Sequence, residues 1–496
     1  MHKEPLLLGI DIGTSACKVA LFCPDGSVLA QESESYNVIY PKAGWAEQNP
    51  DDWWKAVCIA LKSLIDRHNI DSRNIAGIGI GGQSWSAIPI SKDGQCLHNT
   101  PIWMDTRSEK ICKELKNNIG EDNIFNVCGN PLEPTYTLPK ILWYKQNCRE
   151  VYDKTDKILQ SNSYIALKLT GVVSQDICQA YGLHCFDMRL GKWDDALCSE
   201  MGIRAELLPP ISRCHDVIGR VTVKAARQCG LHPGTPVVAG GLDAACGTLG
   251  AGVLLRGETQ EQGGQAGGFS ICTDTYIADP RLILSFHIVP GKWLLQGGTV
   301  GGGGILKWLA SEFWQNENFD DLTKAAEAVP AGSDGLVFLP YMSGERSPIW
   351  DPKAKGVYYG LDYAKTRGHI IRASLEGTAF ALRHNLEIAE RAGAKVNRMR
   401  AMGGAANSVL WTQIKSDVSG RPIDVPSADA ATTLGAAILA GVAVRVYNDF
   451  DEAVEKTVQM TRSHQPDQTK AAAYDKNYET YIELYKSLKP TMQKGS

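Results

Sequence analysis

The chain has 496 residues, more than one hydrophobic core comfortably organises, so two domains are expected. A hydrophobic share of 44% and a charged share of 21% are those of an ordinary globular protein, and a net charge of -4 excludes a broad nucleic-acid or anionic-membrane surface. The 14 cysteines form no CxxC pair and no framework spacing, so they are expected to be reduced small hydrophobes and not disulfides or zinc ligands.

The start, Met1 to Leu8, runs straight into Gly9-Ile10-Asp11 with no long apolar segment or cleavage site, so no signal peptide is expected and the cytoplasm is the expected location. Residues 237–255 and 431–446 are apolar, but the first carries Asp243 and many glycines, and the second is short and contains Arg445. Both read as buried parts of a soluble protein, not as membrane spans. Residues 6–12 form an apolar run broken by Gly13-Thr14-Ser15 and resumed at 18–22, and Asp25-Gly26 turns the chain into 27–30. Asn49 caps a helix that opens on Pro50, with Trp54, Val57, Leu61, Leu64 and Ile65 along one stripe. A buried strand is expected at 75–80, and a hairpin around Asp93-Gly94.

The second half starts with a strand at 236–239 that ends in Gly240-Gly241-Leu242-Asp243. Strands broken by glycines are expected around 258–273 and 282–298, helices at 368–392 and 432–445, and a polar helical tail. Each half thus opens on a strand presenting an aspartate at a glycine turn. This repetition places Asp11 and Asp243 on facing walls of an interdomain cleft, with domains of 1–247 and 248–496.

Glycine turns occur at 9–15, 263–268, 297–304 and 403–407. Each interior glycine costs about 0.5–1 kcal/mol, and close approach to phosphate groups would account for four such turns. Asp11 could hold Mg²⁺ through water. There is no GxxxxGK[ST], so the chain is not a P-loop enzyme. Gly77, Gly79 and Gly82 match GxGxxG, but Gln83-Ser84-Trp85-Ser86 leads into a strand where a dinucleotide fold needs a helix.

Longer segments carry a resemblance. Gly356-Val357-Tyr358-Tyr359-Gly360-Leu361, followed after seven residues by residues 369–376, is similar to the C-terminal signature of the FGGY family of carbohydrate kinases. Residues 338–348, Gly9 to Ser15 and Gly240 to Asp243 resemble further motifs of that family, especially its pentulose and gluconate kinase branches. The resemblance implies two ribonuclease-H-like α/β domains of the actin/hexokinase ATPase type around a deep cleft that closes over its substrates. It implies transfer of phosphate from Mg-ATP to a sugar hydroxyl, most of all of a pentulose such as xylulose. The alternatives are gluconate, a hexulose or a polyol, or a regulatory ATPase that needs no sugar.

In that family Asp243 would be the general base, Asp11 the metal-side carboxylate, and Thr14, Gly264, Gln265, Gly303, Gly404 and Asn407 the nucleotide-side residues. For the sugar the candidates are Gln83, Ser84, Trp85, Trp103, Asp105 and Arg107, with Asp243 itself. A polyol calls for planar or charged hydrogen-bond partners and an aromatic face. The chain departs from the family twice, with Ser84-Trp85 where the pentulose branch has Met-His, and Gln265 where a threonine is usual. The implied partner is a small sugar, neither nucleic acid nor membrane, with a homodimer left open.

Overall fold

The computed structural model describes residues 4–314, 318–427 and 430–494, so Met1 to Lys3 of the leading run lie outside the described residues. Two mixed sheets dominate. The first runs Val217–Arg220, Pro236–Val238, Ile75–Gly82, Leu6–Ile12, Ala16–Phe22 and Val28–Ser35, with Gly241–Leu242 also paired to Ile75–Gly82. The second runs Ile283–Phe286, Trp293–Thr299, Gly267–Thr273, Glu258–Gly263, Arg398–Met402, Ile423–Pro426 and Met460–His464.

Both sheets share one plan. In the first, Leu6–Ile12 pairs antiparallel with Ala16–Phe22 and parallel with Ile75–Gly82. In the second, Glu258–Gly263 pairs antiparallel with Gly267–Thr273 and parallel with Arg398–Met402. The duplication is therefore real, but its register differs from the expected one. Pro236–Val238 and Gly241–Leu242 close the first sheet, and the second repeat opens at Glu258. The turn equivalent to Gly13-Thr14-Ser15 is Gly264-Gln265-Ala266. Asp243 is not the counterpart of Asp11, and the expected break between 247 and 248 falls inside the helix Asp243–Gly250.

That helix crosses Ala431–Ala443, expected at 432–445, at the junction of the two halves. The contact is backbone to backbone. A Cβ on Gly250 would lie 1.9 Å from the Ala431 carbonyl oxygen, and one on Gly435 would lie 1.9 Å from that of Cys246. Ala431–Ala443 also lies on the first sheet, where a Cβ on Gly9 or Gly79 would meet the carbonyl oxygens of Thr433 and Ala436 at 1.9 and 1.8 Å. Among these glycines, then, helix packing and not a ligand demands the missing side chain.

Asn49 caps Pro50–Arg67, accepting from the Asp51 N–H at 3.0 Å, and Trp53, Val57, Leu61 and Leu64 are buried against the first sheet. Between Ile75–Gly82 and Pro236–Val238 the chain inserts a mostly helical layer including Glu109–Ile119, Glu121–Cys128, Thr137–Asn147, Arg149–Lys154 and Ser161–Thr170. The long helix Arg367–Arg391, expected at 368–392, and the terminal Ala471–Lys494 pack on the second half. All 14 cysteines are unpaired. Among the described residues no helix is long and apolar enough to cross a membrane.

Candidate active site

The catalytic candidates emerge from one end of the first sheet. Asp11 sits opposite Gly81 in the parallel register, and Gly241 sits opposite the same Gly81 on the other flank. Asp243 follows two residues later as the first residue of its helix. The two carboxylates therefore share one wall, which corrects the expectation of facing walls. The reason is the true register of the repeat: Asp243 directly follows the last strand of the first sheet, Gly241–Leu242, not the first strand of the second.

Burial pushes the Asp243 carboxyl up to about 6, against the pull of the Ala244 N–H, which donates to Oδ1 at 2.6 Å. Burial first, and then the neighbouring Asp243 charge, push Asp11 up to about 7, with Lys18 opposing. Lys18 faces Asp11 across the antiparallel pair. Asp11 Oδ1 is buried and accepts no hydrogen bond from the protein. An orphaned anionic oxygen of this kind calls for a cation or a donor from a ligand.

A cavity of about 630 Å³ opens between the sheets, lined by Asp11, Lys18, Asp243 and Thr432 on the side of the first sheet and Gln262 and Gly403 on the side of the second. The Gly264-Gln265 turn is tied to the start of the helix Gly303–Phe313. The Gly303 N–H donates to the Gly264 carbonyl at 2.8 Å and the Gly304 N–H to that of Gln265 at 3.1 Å. Exposed Gln265 lays its amide against Gly304, where a Cβ would come within 2.3 Å of Nε2. Glycines 297, 298, 301 and 302 face Phe269, Arg346, Pro340 and Ala266 at under 3 Å, so protein atoms account for them. The turn Gly404–Asn407 is different. Gly404 and Asn407 are exposed, and nothing lies within 4 Å of a Cβ built on Gly404.

The sugar candidates gather on the side of the inserted helical layer. Trp103 Nε1 donates to Thr14 Oγ1 at 2.9 Å, and Gln83 Nε2 donates to Gln48 Oε1 at 2.8 Å. Gln48 Nε2 in turn donates to the Thr14 carbonyl at 2.7 Å. The Thr14 hydroxyl is thus engaged with the tryptophan. Ser84 and Trp85 are half-buried, and Trp85 adopts φ 61 and stacks on Tyr136 at 4.2 Å.

Asp105 is completely buried, with its oxygens taken by Arg107 and by the Ala46 N–H at 2.7 Å. Arg107 also meets Glu47 at 2.7 Å and lies 3.8 Å from the Trp45 ring. This pair braces the Trp103 segment from behind.

Three residues escaped the sequence reading. Arg346 reaches from the second half to within 5.9 Å of the Trp103 ring and donates to the Thr299 carbonyl at 3.1 Å. Lys18 could have been found from the hairpin register alone. Tyr136 carried no motif.

The matches to known proteins span this architecture. The model of the FGGY family of carbohydrate kinases, N-terminal domain, matches residues 6–250, and its C-terminal domain matches 269–444. The chain belongs to the FGGY family of carbohydrate kinases. It is 32% identical over 484 residues to a xylulose kinase of Bacillus subtilis, covering 97% of this chain and 96% of that one. It is 30% identical over 494 residues to a gluconokinase of Bacillus licheniformis, again covering 97% and 96%. The solved structure of a ligand-bound xylulose kinase from Lactobacillus acidophilus superposes with a TM-score of 0.93 at 28% identity, covering 99% of this chain and 100% of that one.

The protein is a sugar kinase, and its family uses ATP as phosphate donor. The residues present fit that donor: a turn at Gly264 where a Cβ would meet nothing closer than 3.7 Å, open space at Gly404 for another part of the nucleotide, and the unpartnered Asp11 oxygen for a divalent ion.

Proposed function

We propose that this kinase phosphorylates a hydroxyl of a pentulose such as xylulose, with Asp243 as the general base. The observation that carries the reading is Asp243 itself. Its carboxylate lies at the cleft beside Asp11, is raised by burial to about 6, and so is ionised at neutral pH yet more basic than a free carboxylate. It accepts the hydroxyl proton as the oxygen attacks phosphorus. The Ala244 N–H holds the receiving carboxylate in place. A divalent ion, when bound, would neutralise phosphate charge, and Asp11 is the residue that would hold it.

Gly264, Gln265 and Gly303 would shape the phosphate side, with Gly404 and Asn407 beside the adenosine. Trp103, Gln83, Ser84 and Trp85 would line the sugar, with Asp105 and Arg107 holding Trp103 from behind. Gluconate is the second reading, favoured by the 30% identical gluconokinase. A screen of ADP release over ketopentoses, hexuloses, polyols and aldonates tests the substrate. Asp243→Ala is expected to abolish sugar-dependent ADP release while retaining nucleotide binding, and wild-type turnover in that variant would refute the assignment.

A further inference from the structure

Lys140 lies on the helix Thr137–Asn147 and is fully buried. Its ammonium donates to three backbone carbonyls: Trp85 at 2.8 Å, Ile102 at 2.8 Å and Thr135 at 2.6 Å. These come from three separate segments of the chain. Each acceptor belongs to, or directly precedes, an aromatic residue of the sugar wall or of its backing: Trp85 itself, Trp103 after Ile102, and the buried Tyr136, stacked behind Trp85, after Thr135.

Among the described residues no carboxylate stands within ion-pair distance of Lys140. A buried ammonium without an ion pair is costly, and methionine or leucine would fill the same space more cheaply. What an apolar side chain could not supply is three donors radiating from one point. The neighbouring bonds are single reinforcements by comparison. Thr137 Oγ1 donates to the Ser86 carbonyl at 3.3 Å, and Tyr144 OH lies at 3.2 and 3.0 Å from the Ala87 and Asn99 carbonyls.

The consequence is geometric. The Trp85–Tyr136 stack joins two of the tethered segments, and the Trp103 indole reaches Thr14 from the third. A shift in any one carbonyl would displace an aromatic face by a comparable amount, and positioning errors of about 1 Å are enough to cost large factors in rate.

We propose that Lys140 is the positioning residue of the sugar-binding wall, its ammonium fixing the Trp85, Trp103 and Tyr136 segments in one arrangement. This rests on the reading that Trp85 and Trp103 face the sugar, with Tyr136 stacked behind Trp85. It assigns Lys140 no contact with substrate and no part in the proton transfer.

The test is steady-state kinetics of Lys140→Met with D-xylulose and, in parallel, D-gluconate as probes. The KM for whichever sugar is turned over is expected to rise at least tenfold, with the KM for ATP within twofold of wild type. Lys140→Gln, which keeps one amide donor group, is expected to fall between Met and wild type. A sugar KM within twofold of wild type in folded Lys140→Met overturns the inference, as does an equal rise in both KM values.

Trp103→Ala separates the two levels of the argument. An unchanged sugar KM in Trp103→Ala refutes the placement of the sugar, whereas a raised KM there with an unchanged one in Lys140→Met refutes only the role of Lys140. Hydrogen exchange on the wild-type protein gives a check that needs no variant to fold. Amides of 84–87, 102–104 and 135–137 are expected to gain protection together on adding sugar, and independent behaviour of the three segments would contradict a single tether.

Discussion

Replacing Asp243 by asparagine should make the kinase inactive and more stable, and the gain should depend on pH. Burial raises the Asp243 carboxyl from the ordinary 3.8 to about 6. At about 1.36 kcal/mol per unit, that corresponds to about 3 kcal/mol by which folding disfavours the ionised form. The side chain faces a solvent-filled cleft that screens part of this cost, so the expected gain is about 1–3 kcal/mol.

The sign follows from the direction of the shift. Above pH 6 the wild-type carboxylate is charged in both the folded and unfolded states, and the folded state bears the full burial cost. Between about 6 and 3.8 the folded state takes up a proton first and the cost fades. Below that range both states are protonated and the variant has no advantage. Asparagine is isosteric and can still accept from the Ala244 N–H, so no cap is lost. Removing the Asp243 charge also relieves Asp11, which adds to the gain in the same direction.

The assay is thermal or urea unfolding of both proteins at pH 8 and pH 4, with a shift of about 2–4 °C per kcal/mol in a domain of this size. Destabilisation at pH 8, or an equal effect at both pH values, would refute the burial argument. Measurable sugar-dependent ADP release by the asparagine variant would refute the base.

Two glycines should respond in opposite ways. Gly79→Ala drives a Cβ to within 1.8 Å of the Ala436 carbonyl oxygen, backbone that cannot rotate away, so a loss of about 3 kcal/mol or more is expected in urea unfolding. Gly404→Ala meets nothing within 4 Å and should leave stability within about 0.5 kcal/mol while weakening nucleotide binding by titration. Gln265→Thr restores the hydroxyl usual in the family and is expected to lower the KM for ATP severalfold. An unchanged KM would show that the amide already does this work.

The strands that carry the site were readable because their signals are local. Residues 6–12 gave an apolar run with Asp11 near its end, and Asn49-Pro50 marked a helix start that the structure places at the same residue. The pairing of strands was harder. The Asp11 and Asp243 segments look alike as sequence, yet parallel register to Ile75–Gly82 puts both in one sheet. Which strand neighbours which is decided by long-range packing that no window of sequence contains. The glycine turns misled for a related reason. Phosphate approach and helix packing both demand a missing Cβ, and only the atoms opposite each glycine tell Gly404 from Gly79. The helical layer holding Lys140 carried no motif, since the partners of its ammonium are backbone carbonyls, two of them in distant segments, which leave no mark on the sequence around it.

The helix crossing at the junction ties these observations to catalysis. Asp243–Gly250 carries the proposed base at its first residue, and Ala431–Ala443 carries Thr432 on the cleft wall. Gly250 and Gly435 admit the opposing carbonyls directly, so at those two points the helices meet backbone to backbone. The same helix Ala431–Ala443 is seated on Gly9 and Gly79, within the strands Leu6–Ile12, which carries Asp11, and Ile75–Gly82, which Gln83 follows. The proposed base, the proposed metal-side carboxylate and one wall of the cleft are thereby held by a single backbone-on-backbone unit, which sets the distance between Asp11 and Asp243 before any ligand arrives.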